Sequence, residues 1–358
     1  MQRRSLRLLG LILGIALLAA GCGKSKSTST TTTTGTGGGA TTVAAKAVKV
    51  GLVYDLTGRG DKSFNDSAAA GLDKAKSTLS GIEVKELTPN TDGSNREQLL
   101  RQLADLGYNP IIGVGFAFAD SMKKVATDKP GTTFAVIDDA SITLPNVTGL
   151  TFTEEQGSFL VGAAAALKSK TGHIGFVGGV DNDLIHKFDA GYSAGAKTVN
   201  ANIKIDKKYL TVPPDFSGFK DPAKGKEAAK AMYSGGADIV YQAAGLSGNG
   251  VFSAAQEATA AGQKVWAIGV DSDQYQGVDA NTKPLILTSM VKHVDVAVFN
   301  FIKDFQGNSV KSGQVVFSLK NDGVGYATSG GFVDDIVPKL ETYKQQIISG
   351  QITVPTTP

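Results

Sequence analysis

The chain has 358 residues, with 36 lysines and arginines, 33 aspartates and glutamates, a formal charge of +3 and a single cysteine. Three arginines and no acidic residue precede Cys22, so the remainder carries 36 − 3 = 33 basic and 33 acidic residues. This balance argues against nucleic acid as a partner. One cysteine and three scattered histidines argue against a disulfide framework and a metal site, and we expect no cofactor.

The first 21 residues have the pattern of an export signal. Basic residues precede an apolar run from Leu8 to Ala20, which is shorter than the roughly 20 apolar residues of a membrane span. The run ends in Leu18-Ala-Ala-Gly-Cys22, which is similar to a bacterial lipobox. Cys22 is therefore predicted to carry a lipid anchor rather than an incidental thiol. The Ser/Thr/Gly-rich residues 22–47 are predicted to tether a domain at the extracytoplasmic face of the cell membrane.

From Val48 onward, short β-branched runs alternate with helical patterns, which predicts an α/β fold with parallel sheets covered by helices. The predicted strands are 48–54, 82–87, 110–115, 133–138, 172–178, 203–210, 237–242, 264–270, 285–290 and 314–319. The predicted helices are 66–79, 94–106, 119–128, 154–169, 187–200, 222–234, 250–261, 294–305 and about 335–349. Two helix starts have capping signals: Ser94 with Glu97 as a capping box, and Asp221 before Pro222.

The chain also repeats itself. A shift of 124 residues places Gly175-Phe-Val177 on Gly51-Leu-Val53, Phe188 on Phe64 and Gly195 on Gly71, although any two α/β halves share some of this similarity. We therefore predict two doubly wound lobes that face each other across a cleft. The tail is predicted to cross back and return, so that 48–153 plus about 286–320 form the N-terminal lobe and 154–285 plus about 321–358 the C-terminal lobe.

Three carboxylates end predicted strands: Asp55, Asp138 and Asp271. The loops at the carboxyl ends of parallel strands are where ligands bind in open α/β sheets. An ionised carboxylate only accepts hydrogen bonds and can accept two, which suits sugar hydroxyls or the amino edge of a base. For any one of the three, an N-cap of the next helix is the alternative interpretation.

Other side chains in polar, glycine-rich loops could complete a site. Phe64 in Asp61-Lys-Ser-Phe-Asn-Asp66, and Phe219 after Phe216-Ser-Gly, could stack on a flat ring or could cap local cores. Gly245-Leu-Ser-Gly-Asn-Gly250 matches neither phosphate-loop pattern, so close backbone approach to a neutral ligand explains it better. Lys292 lies just past a strand and is either a site cation or an ordinary surface lysine.

Catalytic patterns are missing. The chain contains no Gly-x-Ser-x-Gly nucleophile elbow, and its acidic residues are dispersed rather than clustered as in a calcium-dependent hydrolase. We therefore predict a binding protein and not an enzyme. Alternatives are a sugar or furanose-autoinducer binding protein of the same fold, an enzyme that acts on nucleosides, and a surface sensor or adhesin.

Several motifs, in order, resemble the basic membrane protein (BMP) family of purine-nucleoside-binding lipoproteins. The resemblance rests on the lipobox and tether, Asp55 before Asp61-Lys-Ser-Phe-Asn65, Ile137-Asp138, Phe219-Lys-Asp-Pro-Ala-Lys224, Ala243-Ala-Gly-Leu-Ser-Gly-Asn-Gly-Val-Phe252, Gly269-Val-Asp271 and Ser289-Met-Val-Lys292. It implies the type I periplasmic-binding-protein fold, in which three crossovers join two α/β lobes. It also implies an ABC importer, with permease and ATPase subunits as partners, and we expect a monomer.

The resemblance also implies roles for individual residues. Phe64 and Phe219 would sandwich a purine of the adenosine, guanosine or inosine class. The base edge would bind Asp138, with Asn65 and Asp55 nearby. The sugar would be held by Asp271, Lys292 and the backbone of Gly245. Asp61 is expected to shape the loop, and Asp221 to cap a helix.

Overall fold

A computed structural model describes residues 47–358, so the predictions for the signal, Cys22 and most of the tether lie outside the described residues. In the described part the strands are β1 (Val48–Val53), β2 (Ile82–Leu87), β3 (Ile111–Gly113), β4 (Phe134–Ile137), β5 (Val147–Phe152), β6 (His173–Val180), β7 (Lys204–Thr211), β8 (Ile239–Ala243), β9 (Trp266–Asp271), β10 (Ile286–Lys292), β11 (Gly313–Phe317) and β12 (Val324–Tyr326). The helices are α1 (Phe64–Thr78), α2 (Arg96–Asp105), α3 (Ala119–Asp128), α4 (Glu154–Lys168), α5 (Asp183–Val199), α6 (Pro222–Ser234), α7 (Gly248–Ala260), α8 (Gln274–Gly277), α9 (Val294–Gln306) and α10 (Val337–Ile348).

The strands form two six-stranded sheets with matching orders. The first sheet runs β11-β5-β4-β3-β1-β2 and the second runs β12-β10-β9-β8-β6-β7. All neighbours are parallel except β10 and β12, which are antiparallel. Because β1 to β5 and β6 to β10 occupy the same places in the two orders, the topology agrees with the repeat seen in the sequence.

Helices cover both faces of each sheet, which makes each lobe doubly wound. We call each sheet with its packed helices the first or the second lobe. On the first sheet, α2 and α3 pack together on one side and α1 packs with α9 on the other. On the second sheet, α6 packs with α7 and α4 packs with α5. The inner strands between these layers are almost wholly buried, as the four buried residues of β4 illustrate, whereas the edge strands β2, β7 and β11 are partly exposed.

The chain passes between the sheets three times: from β5 to β6, from β10 to β11, and from β11 to β12. The predicted type I periplasmic-binding-protein architecture, with three crossovers, is confirmed. The first two passages occur directly beside buried charged residues, since Glu154 opens α4 and Lys292 ends β10.

One part of the predicted lobe layout differs from the strand order. The sequence predicts that residues from about 286 to 320 belong to the N-terminal lobe, yet β10 (Ile286–Lys292) pairs with β9 in the second sheet. The short link through α8 returns the chain to the strand beside the one it left, and the crossing follows at α9, which packs on α1. The other predicted domain boundaries stay predictions. Sequence reasoning also missed β5 and β12.

The capping predictions have different outcomes. Asp221 accepts a hydrogen bond from the Lys224 backbone N–H at 3.0 Å and caps α6, as predicted. The predicted box at Ser94 is wrong, because its hydroxyl bonds to Asp92 and the cap residue of α2 is Asn95.

The paired glycines of the repeat lie where helices touch. A Cβ atom at Gly195 of α5 would lie 2.0 Å from the backbone oxygen of Phe159 in α4, and one at Gly71 of α1 would lie 2.3 Å from the backbone oxygen of Asp295 in α9. Backbone atoms of packed helices cannot move aside cheaply. These glycines therefore set the separation of the helix pairs.

We expect Gly195→Ala to lower the free energy of unfolding by ~1–3 kcal/mol, because the overpacking outweighs alanine's higher helix propensity. Urea denaturation followed by circular dichroism measures this difference. The control is Thr198→Ala on the exposed side of α5, which should change it by no more than ~0.5 kcal/mol. Equal stability of the two variants would show that the helices can separate at little cost.

Candidate functional site

The loop between β1 and α1 is shaped by its own carboxylates. The buried side chain of Asp61 accepts hydrogen bonds from the backbone N–H groups of Ser63, Asn65 and Asp66 at 2.9, 2.8 and 3.1 Å. Asp66 in turn accepts from the backbone N–H of Lys62 at 2.8 Å. These bonds fix the start of α1, whose first two residues are Phe64 and Asn65.

Asn65 and Asp55 are hydrogen-bonded to each other and to neighbouring side chains. The Asn65 side-chain oxygen accepts from the Asp55 backbone N–H at 2.9 Å, and its amide nitrogen donates to Thr57 Oγ1 at 3.0 Å. The Asp55 carboxylate lies 3.3 Å from Arg96 Nη2. Burial raises the pKa of Asp55, and the Arg96 guanidinium partly offsets that rise.

Lys292 lies at the centre of a buried charge cluster. Its Nζ, on a side chain that is 2% exposed, lies 2.7 Å from Asp138 Oδ2 and 3.6 Å from Glu154 Oε1. Glu154, 1% exposed, also pairs with Lys187 at 3.2 Å. Burial alone lowers the pKa of Lys292, but Asp138, Glu154 and Asp271 together raise it above its ordinary value. The lysine is therefore a permanent cation that the two lobes share.

Two of the strand-end carboxylates have unusual backbones. Asp138 and Asp271 both have positive φ, 67° and 63°, a conformation that residues other than glycine adopt seldom and aspartate more readily than most. Asp138 directly follows β4, and Asp271 is the last residue of the equivalent strand β9. Burial raises the pKa of Asp271 to about 6, partly offset by Lys292. Asp138 Oδ1 is buried and has no hydrogen-bond partner.

The aromatic side chains come from both lobes. The rings of Phe64, Phe152 and Phe188 lie with their centroids 4.8, 5.1 and 5.6 Å from Lys292 Nζ. Phe219 ends a short 3₁₀ turn of the second lobe, and a Cβ at Gly179 would lie 2.4 Å from its ring. Glycine at the end of β6 thus makes room for Phe219.

One cavity of about 620 Å³, counted with its opening to solvent, brings the predicted residues together. All eight residues predicted to bind ligand line it: Asp55, Phe64, Asn65, Asp138, Phe219, Gly245, Asp271 and Lys292. Asp61 also lines the cavity, although its hydrogen bonds go to the loop.

The two lobes touch on both sides of this cavity. On one side the rings of Phe116 and Phe216 meet edge to face at 5.9 Å, and Lys220 Nζ donates to the carbonyl of Thr91. On the other side Ser63 Oγ donates to Asp271 Oδ2 at 2.7 Å. The structure is therefore in a closed arrangement, in which residues of both lobes face the same space.

Sequence reasoning missed several residues of the site. Phe116 follows the end of β3 in Gly115-Phe-Ala-Phe, so the strand-end rule could have found it. Glu154 opens a helix, where an acidic residue is ordinary, and no sequence signal showed that it would be buried beside Lys292. In residues 47–358 no group of three or more His, Cys, Asp and Glu side chains could hold a metal ion.

The pKa of Glu154 gives a pH prediction. Burial raises this pKa from 4.5 to about 7, so protonated Glu154 favours the folded state. That contribution is complete below pH 4.5 and is lost as the pH rises through 7. Glutamine does not ionise, so Glu154→Gln does not lose this contribution. As the pH rises from 4.5 to above 7, the free energy of unfolding of Glu154→Gln should increase relative to that of the wild type by up to about 3 kcal/mol, at ~1.36 kcal/mol per pKa unit.

Urea denaturation at several pH values measures the difference between the two proteins. Glu227→Gln, the same substitution at an exposed position of α6, is the control. A Glu154→Gln curve parallel to the wild-type curve would show that Glu154 ionises normally.

The chain is similar to known proteins over most of its length. A family model described as "ABC transporter substrate-binding protein PnrA-like", named Bmp, matches residues 47–358. The "ABC transporter nucleoside-binding protein BmpA" of Lactococcus lactis subsp. cremoris is 36% identical over 323 residues, which cover 86% of this chain and 89% of that protein. "Basic membrane protein A1" of Borrelia garinii subsp. bavariensis is 35% identical over 315 residues, 86% of this chain and 88% of that protein.

Among solved structures, an ABC transporter solute-binding protein from Aeropyrum pernix K1 superposes with a TM-score of 0.75 at 30% identity. The match covers 86% of this chain and 93% of that one. No helix in residues 47–358 combines the length and apolar character needed to cross a membrane.

Proposed function

The chain belongs to the Bmp family of PnrA-like ABC transporter substrate-binding proteins, and from that premise we propose that it binds a purine nucleoside in the cavity between its lobes. The role of the family is to bind a solute and not to catalyse a reaction. One observation carries the proposal: a single cavity has Phe64 from one lobe, Phe219 from the other, and three strand-end carboxylates in its lining.

The aromatic residues support a flat ligand. Phe64 opens α1 of the first lobe and Phe219 ends a turn of the second, so a planar ring between them would touch both lobes. Stacking of this kind is worth ~1–3 kcal/mol per base in proteins that bind single strands. Asp138 Oδ1, buried and unpartnered, would accept a hydrogen bond from an N–H on the purine edge.

The charges support an uncharged ligand with many donors. The cavity lining contains Asp55, Asp61, Asp138 and Asp271 but only one cation, Lys292, which already pairs with two carboxylates. Excess negative charge repels a phosphate group and favours hydroxyl and amino donors. A nucleoside fits this lining better than a nucleotide, with its sugar hydroxyls at Asp271 and Lys292.

For the cellular role, we propose that the closed protein delivers its ligand to an ABC permease driven by an ATPase subunit. An acyl group on Cys22 would hold it at the extracytoplasmic face of the membrane, and residues 22–47 would let it reach the permease. The lipobox-like Leu18-Ala-Ala-Gly-Cys22 supports the anchor. We propose that the protein acts as a monomer.

Isothermal titration of the purified protein with inosine, guanosine, adenosine, cytidine and free ribose tests the proposal. We expect at least one purine nucleoside to bind far more tightly than ribose or cytidine, because neither of those fills the space between the two rings. Binding of every purine nucleoside weaker than about 1 mM, or ~−4 kcal/mol, would refute the proposal. Ribose binding as tight as nucleoside binding would favour a sugar-binding protein.

A further inference from the structure

Ser63 is a buried residue of the first lobe whose hydroxyl group donates a hydrogen bond to the second lobe. Its Oγ donates to Asp271 Oδ2 at 2.7 Å and also lies 3.2 Å from the carbonyl oxygen of Val270. Its own carbonyl accepts from Ser272 Oγ at 3.1 Å. The residue immediately before Phe64 is thus hydrogen-bonded to the end of β9, across the cleft.

The Asp271 carboxylate depends on this contact. Among residues 47–358, Ser63 is the side chain that hydrogen-bonds it, and the bond uses one oxygen and leaves the other, Oδ1, for a ligand. Lys292 attracts the same carboxylate electrostatically. Without the serine hydroxyl, a carboxylate on a flexible bond would turn toward the cation, so its free oxygen would no longer face the cavity in a fixed direction.

The loop that carries Ser63 has a separate attachment. Gln274 Nε2 donates to the carbonyl of Lys62 at 2.9 Å, and Gln274 Oε1 accepts from Gln242 Nε2 at 2.7 Å and from the Val270 backbone N–H at 2.9 Å. This fully buried amide pair ties the ends of β8 and β9 to the first-lobe loop. Removal of the Ser63 hydroxyl therefore leaves the loop docked and changes only what holds Asp271.

We propose that Ser63 is a positioning residue for Asp271, so that a side chain of the first lobe orients the carboxylate with which the second lobe recognises the sugar. The proposal rests on the proposed function. Its consequence is that selectivity for an intact ribose depends on both lobes and arises only in the closed arrangement. A ligand that lacks a ribose hydroxyl cannot donate a hydrogen bond to the oriented oxygen of Asp271, but it keeps its contacts with the base site.

Titration of wild type and variants with guanosine and with its 2′-deoxy and 3′-deoxy analogues tests the proposal. The readout is the ratio of deoxy to ribo dissociation constants. In the wild type we expect at least one analogue to bind about tenfold more weakly, the effect of one hydrogen bond to a charged group. Ser63→Ala should reduce that ratio to about one, and Ser63→Thr, which keeps the hydroxyl, should retain most of it.

A second variant keeps the test decisive if threonine does not fit. Asp271→Asn should remove the same selectivity, and adding Ser63→Ala to it should change the ratio no further, because both substitutions act on one contact. Uniform weakening of all three ligands by Ser63→Ala, with the ratio unchanged, would overturn the proposal and leave Ser63 a contact between the lobes only. A wild type that binds no purine nucleoside would instead refute the proposed function.

Discussion

Replacement of Lys292 by methionine is expected to lower the free energy of unfolding by ~3–5 kcal/mol at neutral pH. The Nζ atom is the cation that lies between Asp138 at 2.7 Å and Glu154 at 3.6 Å, on a side chain that water hardly reaches. Methionine fills a similar volume, so the loss of packing is small. What remains is buried negative charge without a partner, and this accounts for the size of the effect.

Urea denaturation measures the loss, and two further variants isolate its cause. Lys339→Met on the exposed face of α10 should change stability by no more than ~0.5 kcal/mol. The double variant Lys292→Met with Asp138→Asn should recover at least ~1 kcal/mol, because the carboxylate nearest to the missing cation is gone. If Lys292→Met is as stable as Lys339→Met, Asp138 is not left as an uncompensated buried charge, and the explanation of the effect by charge is wrong.

Phe219→Ala is expected to raise the dissociation constant for a purine nucleoside by ~5- to 150-fold, which corresponds to ~1–3 kcal/mol of lost stacking. The ring is half-buried at the end of its turn and lines the cavity opposite the first lobe. Its removal leaves one face of the base against water. The loss should fall equally on ribo and deoxy nucleosides, since the ring contributes nothing to the sugar contacts.

Calorimetric titration measures this change, and Phe299→Ala is the control. Phe299 is also half-buried, but it lies on α9 under Lys74 and is not part of the cavity lining. It should leave the affinity unchanged even if it lowers stability. Equal affinities of Phe219→Ala and the wild type would remove the second-lobe ring from the site.

The sequence predicted the architecture well because alternating β-branched runs and helical patterns carry a strong periodic signal. The strand-end carboxylates and the loop motifs then located one cavity, since parallel strands with their carboxyl ends at a common edge bring such residues together. Local patterns left the roles of Phe219 and Lys292 open, and the resemblance to a family assigned them to the site. Both line the cavity in the structure.

The errors share a physical cause, which is that local patterns do not report long-range pairing. β5 lies within Asn146-Val-Thr-Gly-Leu-Thr-Phe152, where a glycine and a preceding Pro145 favour a loop, yet pairing with β4 and β11 makes it a buried strand. The sheet to which β10 belongs depends on the strand with which it pairs after α8, and that strand is β9 of the second sheet. Side-chain competition decided the start of α2, where Ser94 bonds to Asp92 instead of the helix.

The burial of Glu154 beside Lys292 could not be predicted from the sequence. Acidic residues at helix starts are common because they complement the helix dipole, and nothing in Thr153-Glu-Glu155 distinguishes a buried partner of Lys292 from a solvated one. Its burial follows from the passage between sheets, which brings the start of α4 to the end of β10 and to Asp138. Only the assembled fold contains that information.

We propose that a purine nucleoside binds between the lobes with its base between Phe64 and Phe219. The most direct measurement is the electron density of the protein crystallised with guanosine or inosine. We expect density for a base between the two rings, with one edge at Asp138 Oδ1 and the sugar hydroxyls at Asp271 and Lys292. A nucleoside bound outside this cavity, or inside it with neither ring against the base, would show that Phe64 and Phe219 do not form the base site.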